Sequence, residues 1–369
     1  MNASQPLWKT ALKELQPDAV AWIREPMLDN SLVDEYRVVL AEACGDAAVH
    51  ELECPGGEAL KALDKLPELF ERFAEWHLTR HSIVITTGGG ALSDAVGFAA
   101  SVWKRGVKVI HIPTTTLAMV DAAWGGKTAL NWGGMKNQIG TFELPAAVQV
   151  DARWLVTLPE REFRAGLAEA AKHAMLEPAG DLHLNSNLPQ WPVQTPDSLE
   201  TWTSWLVHSA DTKRRIASED LHERGRRAVL NLGHTVGHAV EALLADSRNT
   251  LLHGEAVAIG LHFALHEARN PVWNVGQNSE DVEPHAVLVE TWLRDNVPVP
   301  SVDLPDAERM WDCMLHDKKN TAFVVQDVAW RGLGSVIWPV AWKKSSFEAT
   351  WTRFVRFWGD LEAPSSTES

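Results

Sequence analysis

The sequence predicts a chain in two parts: an α/β nucleotide-binding domain over residues 1–158 and a mainly α-helical domain over 159–369. Three observations predict it. Short β-branched runs alternate with helix-spaced segments in the first half, which implies βαβ units and a parallel sheet. Strand signals become scarce after Pro159. Three consecutive glycines, Gly88-Gly89-Gly90, stand between a strand-like run and a helix-like one.

In chain order, Tyr36–Ala41 reads as a short strand and Gly57–His77 as a helix with Leu60, Leu63, Leu66 and Leu69 among its apolar positions. Ser82–Thr87 is a strand running into the glycines, and Ala91–Trp103 has helical spacing. Val107–Ile112 is a buried-type strand stopped by Pro113, and Val148–Val150 is a third. Beyond the boundary, Glu160–Leu176, Leu199–Ile216, Ala228–Leu244, His253–Ala268 and Pro284–Asp295 read as helices. Pro284 suits a first helical position, where no backbone donor is needed. Glu177–Asp197 and Arg269–Glu283 read as loops, Phe323–Ile337 as strand, and Ala363–Ser369 as a frayed tail.

Composition narrows the function classes. The formal net charge is −15, spread along the chain, which argues against nucleic acid or an anionic membrane as partner. An anionic small substrate would need a local basic pocket working against that field. Cys44, Cys54 and Cys313 form no CxxC pair and no disulfide framework, as expected of buried thiols in a reducing cytoplasm. Met1–Trp8 offers no basic region followed by an apolar run, and no stretch of about 18 apolar residues occurs. Eighteen tryptophans against one tyrosine carry no functional reading.

Chemistry concentrates in four places. Gly88-Gly89-Gly90 with Asp94 can let backbone amides approach a phosphate at a helix N-terminus, or can be a tight turn; the spacing is not that of GxGxxG. Pro113-Thr114-Thr115-Thr116, Asp121, Gly125-Gly126-Lys127 and Lys136-Asn137 follow a buried strand, where α/β proteins bind ligands. His234 and His238 stand four apart on one helical face, His253-Gly254-Glu255 opens the next helix, and Glu169 with Lys172 lies on an earlier one. A carboxylate with two imidazoles is a common catalytic zinc set, and spacing leaves open which histidines serve. Thr235 follows His234 where a zinc protease carries Glu, which disfavours that class. Lys213, Arg214, Arg215, Arg224, Arg226 and Arg227 upstream of Asn231 form either an anion pocket or a solvated helix face, and Asp317-Lys318-Lys319-Asn320 adds a late lysine pair.

These motifs, in this order and spacing, resemble the 3-dehydroquinate synthase family of the sugar-phosphate cyclases. Lys104-Arg105-Gly106, Met119-Val120-Asp121, Lys136-Asn137-Gln138-Ile139-Gly140, Thr157-Leu158-Pro159-Glu160, Gly166-Leu167-Ala168-Glu169 and Asn231-Leu232-Gly233-His234-Thr235 complete the likeness, which covers about residues 35–320. Each motif is modest, and their common order is specific. The resemblance implies a Rossmann-like first domain with a metal-binding helical domain, and a homodimer in which Arg105 reaches the neighbouring subunit's site. It implies Glu169, His234 and His253 as ligands of zinc or cobalt, with His238 on the substrate side. It implies NAD contacts at Glu58, Lys61, Gly89, Gly90, Asp94, Thr114, Thr115, Lys136 and Thr157. It implies substrate contacts at Arg105, Asp121, Lys127, Asn137, Lys172, Lys213, Arg227, Asn231, His238, Lys318 and Lys319. The acidic residue that ends the family's second strand falls near Ala41-Glu42, and Ser93 replaces a common glycine.

The implied reaction converts 3-deoxy-D-arabino-heptulosonate 7-phosphate to 3-dehydroquinate and phosphate. It proceeds by transient oxidation by NAD, β-elimination of phosphate, reduction and intramolecular aldol cyclisation, as a step of the shikimate pathway to chorismate and aromatic amino acids. The alternatives are another sugar-phosphate cyclase of secondary metabolism and a metal-dependent polyol dehydrogenase. The dehydrogenase has no need of Lys127, Lys136-Asn137 and Lys213 for a phosphate.

Overall fold

The computed structural model describes residues 7–178, 184, 196–245, 250–273, 282–315 and 324–362. The chain divides into two units, Met1–Gly166 with Leu188–Glu223, and Leu167–Asn187 with Arg224–Ser369.

The first unit begins with α1 (Leu7–Leu15), β1 (Ala19–Arg24), α2 (Asn30–Cys44), β2 (Ala48–Glu53), α3 (Leu66–Glu75), β3 (Ile83–Gly88) and α4 (Gly90–Val102). It continues with β4 (Lys108–Pro113), α5 (Thr116–Val120), β5 (Lys127–Trp132), β6 (Met135–Phe142) and β7 (Ala147–Val148). Helix α6 (Glu160–Leu176) follows, with its residues from Leu167 on belonging to the second unit; α7 (Pro196–Glu219), which comes later in the chain, packs on α5. Five strands form one parallel sheet in the order β2-β1-β3-β4-β7. β1 and β3 are largely apolar and buried at every position, as central parallel strands covered on both faces must be. β5 and β6 form a separate antiparallel hairpin turning at Gly133-Gly134, whose positive φ values a tight hairpin turn requires. The core under the sheet gathers Ile23, Leu69, Phe73, Val84, Leu92, Val96 and Leu130. Each such side chain contributes roughly 1.5–3 kcal/mol on leaving water.

Three expected elements differ. Tyr36–Ala41 is no strand but the middle of α2. Asp29 caps that helix by accepting from the Leu32 N–H, and Leu32, Val33, Tyr36 and Leu40 bury one helical stripe while Val38 stays exposed. Ala41-Glu42 therefore ends no strand; the acidic residue just beyond β1 is Glu25. Gly57–His77 is two short 3-10 turns before α3, because Pro67 in its first turn lacks the N–H that a helix running through it would use. Ala228–Leu244 breaks at Gly233, whose φ of +75° ends one turn and starts the next helix. The strands β1 and β2 and the β5–β6 hairpin complete the first sheet region without having been expected.

The second unit holds α8 (His234–Leu243), α9 (His253–Arg269), α10 (Val282–Asn296), α11 (Ala307–Leu315), the antiparallel pair β8 (Val325–Trp330) and β9 (Val336–Trp342), and α12 (Lys344–Glu362). α8 and α9 touch backbone to backbone. A Cβ on Gly260 would stand 1.8 Å from the Gly233 carbonyl oxygen, and one on Gly237 2.9 Å from that of Ala256. An aromatic cluster of Phe263, Trp342, Phe347, Trp351, Phe354 and Trp358 fills the core behind α9. Trp8, Trp22, Trp154, Trp202, Trp330 and Trp351 are fully buried, so tryptophan serves both cores as bulk. Phe323, Lys318-Lys319, most of the two expected loops and the tail lie outside the described residues. No described helix is long and apolar enough to cross a membrane.

Candidate active site

Strand order places the first cluster. The chain runs from β1 outward to β2, then returns to lay β3 on the other side of β1, so the switch in direction falls between β1 and β3. Ligands of open α/β sheets bind beyond the carboxyl ends of the strands at such a point. Here those ends carry Glu25 and Gly88-Gly89-Gly90. Gly89 stands at the N-terminus of α4 with no side-chain cap, and its N–H donates to Glu25 Oε1 at 3.1 Å. A Cβ on Gly88 would lie 2.6 Å from Leu92 and 2.9 Å from Glu25, so those side chains would have to move to admit one. Burial pushes the Glu25 carboxyl up, against the lowering effect of the Gly89 N–H. At the end of β4, the Thr114 N–H bonds the Gly88 carbonyl and Thr115 caps α5 through Ala118. Amides at a helix start, closely packed glycines and the strand switch together fit a dinucleotide.

Around these tips, three lysines each meet a carboxylate. Lys61, buried, donates to Asp94 Oδ2 at 2.7 Å and to Asn137 Oδ1. Burial raises Asp94 to about 6 although Lys61 opposes it. Asn137 takes a left-handed φ of 56°, and its N–H donates to Asn131 Oδ1, whose amide in turn donates to Glu58. Lys127, first residue of β5, pairs with Glu223. Lys213 on α7 donates to both oxygens of Asp121, at 2.7 and 2.8 Å. Arg105 is exposed with a φ of 68°, Lys136 is exposed on β6, and Thr157 is exposed at the end of a 3-10 turn. Sequence reasoning missed Glu25 and Glu223. A carboxylate just after the five-residue apolar run Ala19–Ile23 and Arg24 was the available signal for Glu25; for Glu223, 96 residues from Lys127, there was none.

The second unit carries the metal-like cluster. Glu169 and Lys172 are an ion pair one helical turn apart on α6, both buried. His234 Nε2 lies 3.2 Å and His253 Nε2 3.5 Å from Glu169 Oε1. The His238 ring is 5.2 Å from His234 and 5.6 Å from His253, and the three histidines present ligand nitrogens within 4.8 Å of one another. His234 Nδ1 is 3.1 Å from the Leu232 carbonyl, and His253 Nδ1 is 3.0 Å from Glu241 Oε2. Both partners accept, so each Nδ1 donates there and each Nε2 faces the Glu169 carboxylate. The two Glu169 oxygens are buried and accept no hydrogen bond of good geometry. Converging acceptors of this kind are satisfied by a proton or by a cation, and a carboxylate with two imidazoles suits a catalytic divalent metal. Burial alone would raise Glu169, but Lys172 and His234 hold it well below the usual carboxylate range. Burial, then Lys172, pushes His234 down to about 3. Loss of solvent would lower His253 too, yet Glu169 and Glu241 keep it up at about 9. Arg227 is buried in the short helical turn before α8, and Asn231 ends that turn with its amide on the Ala228 carbonyl.

Comparison with known proteins bears on both clusters. The 3-dehydroquinate synthase N-terminal profile matches residues 51–165 and the 3-dehydroquinate synthase C-terminal profile residues 166–320. The chain is 40% identical over 284 residues to the 3-dehydroquinate synthase of Acidithiobacillus ferrooxidans, covering 77% of this chain and 75% of that one. A 2-deoxy-scyllo-inosose synthase solved with carbaglucose-6-phosphate, NAD+ and Co2+ is similar at a TM-score of 0.73 and 26% identity, over 91% of this chain and 90% of that one. The 2-epi-5-epi-valiolone synthase of Streptomyces hygroscopicus, with NAD+ and Zn2+ bound, is similar at 0.76 and 25%, over 96% of each chain. The chain belongs to the 3-dehydroquinate synthase family.

Proposed function

We propose, from membership in that family, that this protein is a 3-dehydroquinate synthase, converting 3-deoxy-D-arabino-heptulosonate 7-phosphate to 3-dehydroquinate with release of phosphate. It is thus a carbon–oxygen lyase of the shikimate pathway. The identity shared with the curated enzyme over three quarters of both chains carries this reading. The strand-switch glycines and the Glu169–His234–His253 convergence support the two cofactors, NAD and a zinc or cobalt ion.

In this reading Glu169, His234 and His253 hold the metal, and Gly89, Gly90, Thr114 and Thr115 face the dinucleotide with Glu58, Lys61, Asp94, Lys136 and Thr157. Bound, the cation supplies Lewis acidity toward a substrate hydroxyl, and NAD supplies a reversible hydride acceptor. The chain's own residues do the rest. Lys127, Asn137 and Arg105 bind the phosphate by charge-assisted hydrogen bonds. Since Lys127 already pairs with Glu223, phosphate exchanges one anionic partner for another. Lys213 orients Asp121 through both carboxylate oxygens, which fits Asp121 for positioning a substrate hydroxyl. His238, beside the two ligand histidines, moves the proton at a ring nitrogen. Lys172, Arg227, Asn231 and the Lys318-Lys319 pair complete the polar contacts to the substrate.

We place the enzyme in the cytoplasm as a homodimer. Burial pushes the free thiols of Cys44 and Cys54 up to about 11, where they are poor nucleophiles. The deciding experiment supplies the heptulosonate phosphate and NAD to purified protein and measures phosphate release. Release from this substrate is expected; release only from a hexose 6-phosphate would make the protein a cyclase of the inosose type.

A further inference from the structure

Glu241 lies on α8 seven residues after His234 and three after His238, so one stripe of that helix carries all three. It belongs to none of the motifs above. Its Oε2 stands 3.0 Å from His253 Nδ1, and its side chain is largely shielded from solvent, at 17% exposure.

The two ligand histidines are braced differently. His234 turns its Nδ1 to the carbonyl of Leu232, two residues back on its own chain, so local backbone geometry supplies the acceptor. His253 is the first residue of α9, with no preceding turn to lean on, and its side chain is 32% exposed. Its acceptor comes instead from the neighbouring helix, through the close α8–α9 approach that Gly237 and Gly260 permit. Without a partner at Nδ1, a half-open imidazole at a helix start can rotate about its side-chain bonds and exchange its tautomer.

We propose that Glu241 is the positioning residue of the metal centre: its carboxylate accepts the Nδ1–H of His253, fixes the ring, and leaves the Nε2 lone pair aimed at the cation. A carboxylate on the far nitrogen also raises the basicity of the near one, so it strengthens the bond to the metal. The inference rests on the metal reading given above.

The test is metal affinity, measured on metal-free protein by competition with a chromophoric chelator for Zn2+ and for Co2+, without turnover. Glu241→Ala is expected to weaken both ions by roughly 10–100-fold, the usual cost of removing an outer-shell partner. Glu241→Gln, which keeps an acceptor oxygen but no charge, is expected to weaken them less, and both variants to shift the visible absorption of the Co2+ form. Because Glu241 acts through His253, the double variant with His253→Ala is expected to bind no more weakly than His253→Ala alone. A Glu241→Ala protein with parental affinity and an unchanged Co2+ spectrum, while His253→Ala loses metal, overturns the proposal alone. Losses that add in full in the double variant also overturn it, since Glu241 would then act elsewhere. A His253→Ala protein that keeps its metal overturns the metal reading itself. Should Glu241→Ala fail to fold by circular dichroism, the Glu241→Gln affinity, the Co2+ spectrum and the pairing of Glu241→Gln with His253→Ala carry the same decision.

Discussion

Lys61, Lys127 and Lys213 in the first unit each rest on a carboxylate, Asp94, Glu223 and Asp121, whereas in the second unit a buried carboxylate, Glu169, is faced by two imidazoles and one lysine. The first arrangement is close to neutral pair by pair. In a chain of net charge −15 it keeps cations in place without leaving a buried charge unpaired, and in the proposed function an incoming phosphate would compete with protein carboxylates for these donors. The second gathers a buried carboxylate, two imidazoles and a lysine in one place, and the carboxylate with the imidazoles is a set that suits a divalent cation. One cluster is built of lysine–carboxylate pairs, and the other is set by the packing of α8 on α9.

The sharpest way to break this contrast is to remove a ligand. Glu169→Ala, His234→Ala or His253→Ala should each sharply lower bound metal and cut turnover by about a thousandfold or more, since Lewis-acid stabilisation amounts to several kcal/mol. Elemental analysis after gel filtration reads the metal. Full occupancy and activity in His253→Ala would transfer the ligand role to His238.

Acid should strike both units alike. His111 in the first unit, hydrogen-bonded to Thr86, and His262 in the second, packed on Trp358, are both pushed down to about 4 by burial. A neutral buried histidine stabilises the fold fully above its unfolded pKa of about 6.5. That contribution is lost as pH falls from there toward about 4, up to about 3 kcal/mol for each group. Chemical denaturation at pH 7 and pH 5 measures it. His262→Gln should flatten the decline, and an unchanged slope would exclude His262 as a source.

A smaller effect separates substrate from cofactor within the first unit. Lys127→Ala removes one charged hydrogen bond, roughly 1.5–3 kcal/mol, or about tenfold to hundredfold in kcat/KM, and should leave NAD affinity nearly unchanged. Normal phosphate release with lost NAD binding would move Lys127 to the cofactor. The smallest expected signal is none: hydride leaves and returns on one substrate, so absorbance of reduced NAD should not grow during turnover. Stoichiometric growth would support the polyol dehydrogenase alternative.

Local patterns in the sequence determined much of the scaffold. The β-branched run before Gly88 had to be a strand because its side chains suit a doubly covered sheet, and His234 and His238 had to share a face because the helical period puts them there. Tyr36–Ala41 misled because its apolar residues satisfy a strand over six positions; the Asp29 cap and the longer stripe from Leu32 to Leu40 decide for helix. Only the tertiary structure decided the partners. Glu25 reaches Gly89 across 64 residues, Lys61 reaches Asn137 across 76, and Glu223 reaches Lys127 across 96. Glu241 meets His253 only because glycines let α8 and α9 touch. Periodicity and propensity act over a few residues, whereas these pairings are fixed by how distant segments pack. The sequence therefore supplied the functional groups one by one, and the packing chose which of them stand within hydrogen-bonding distance.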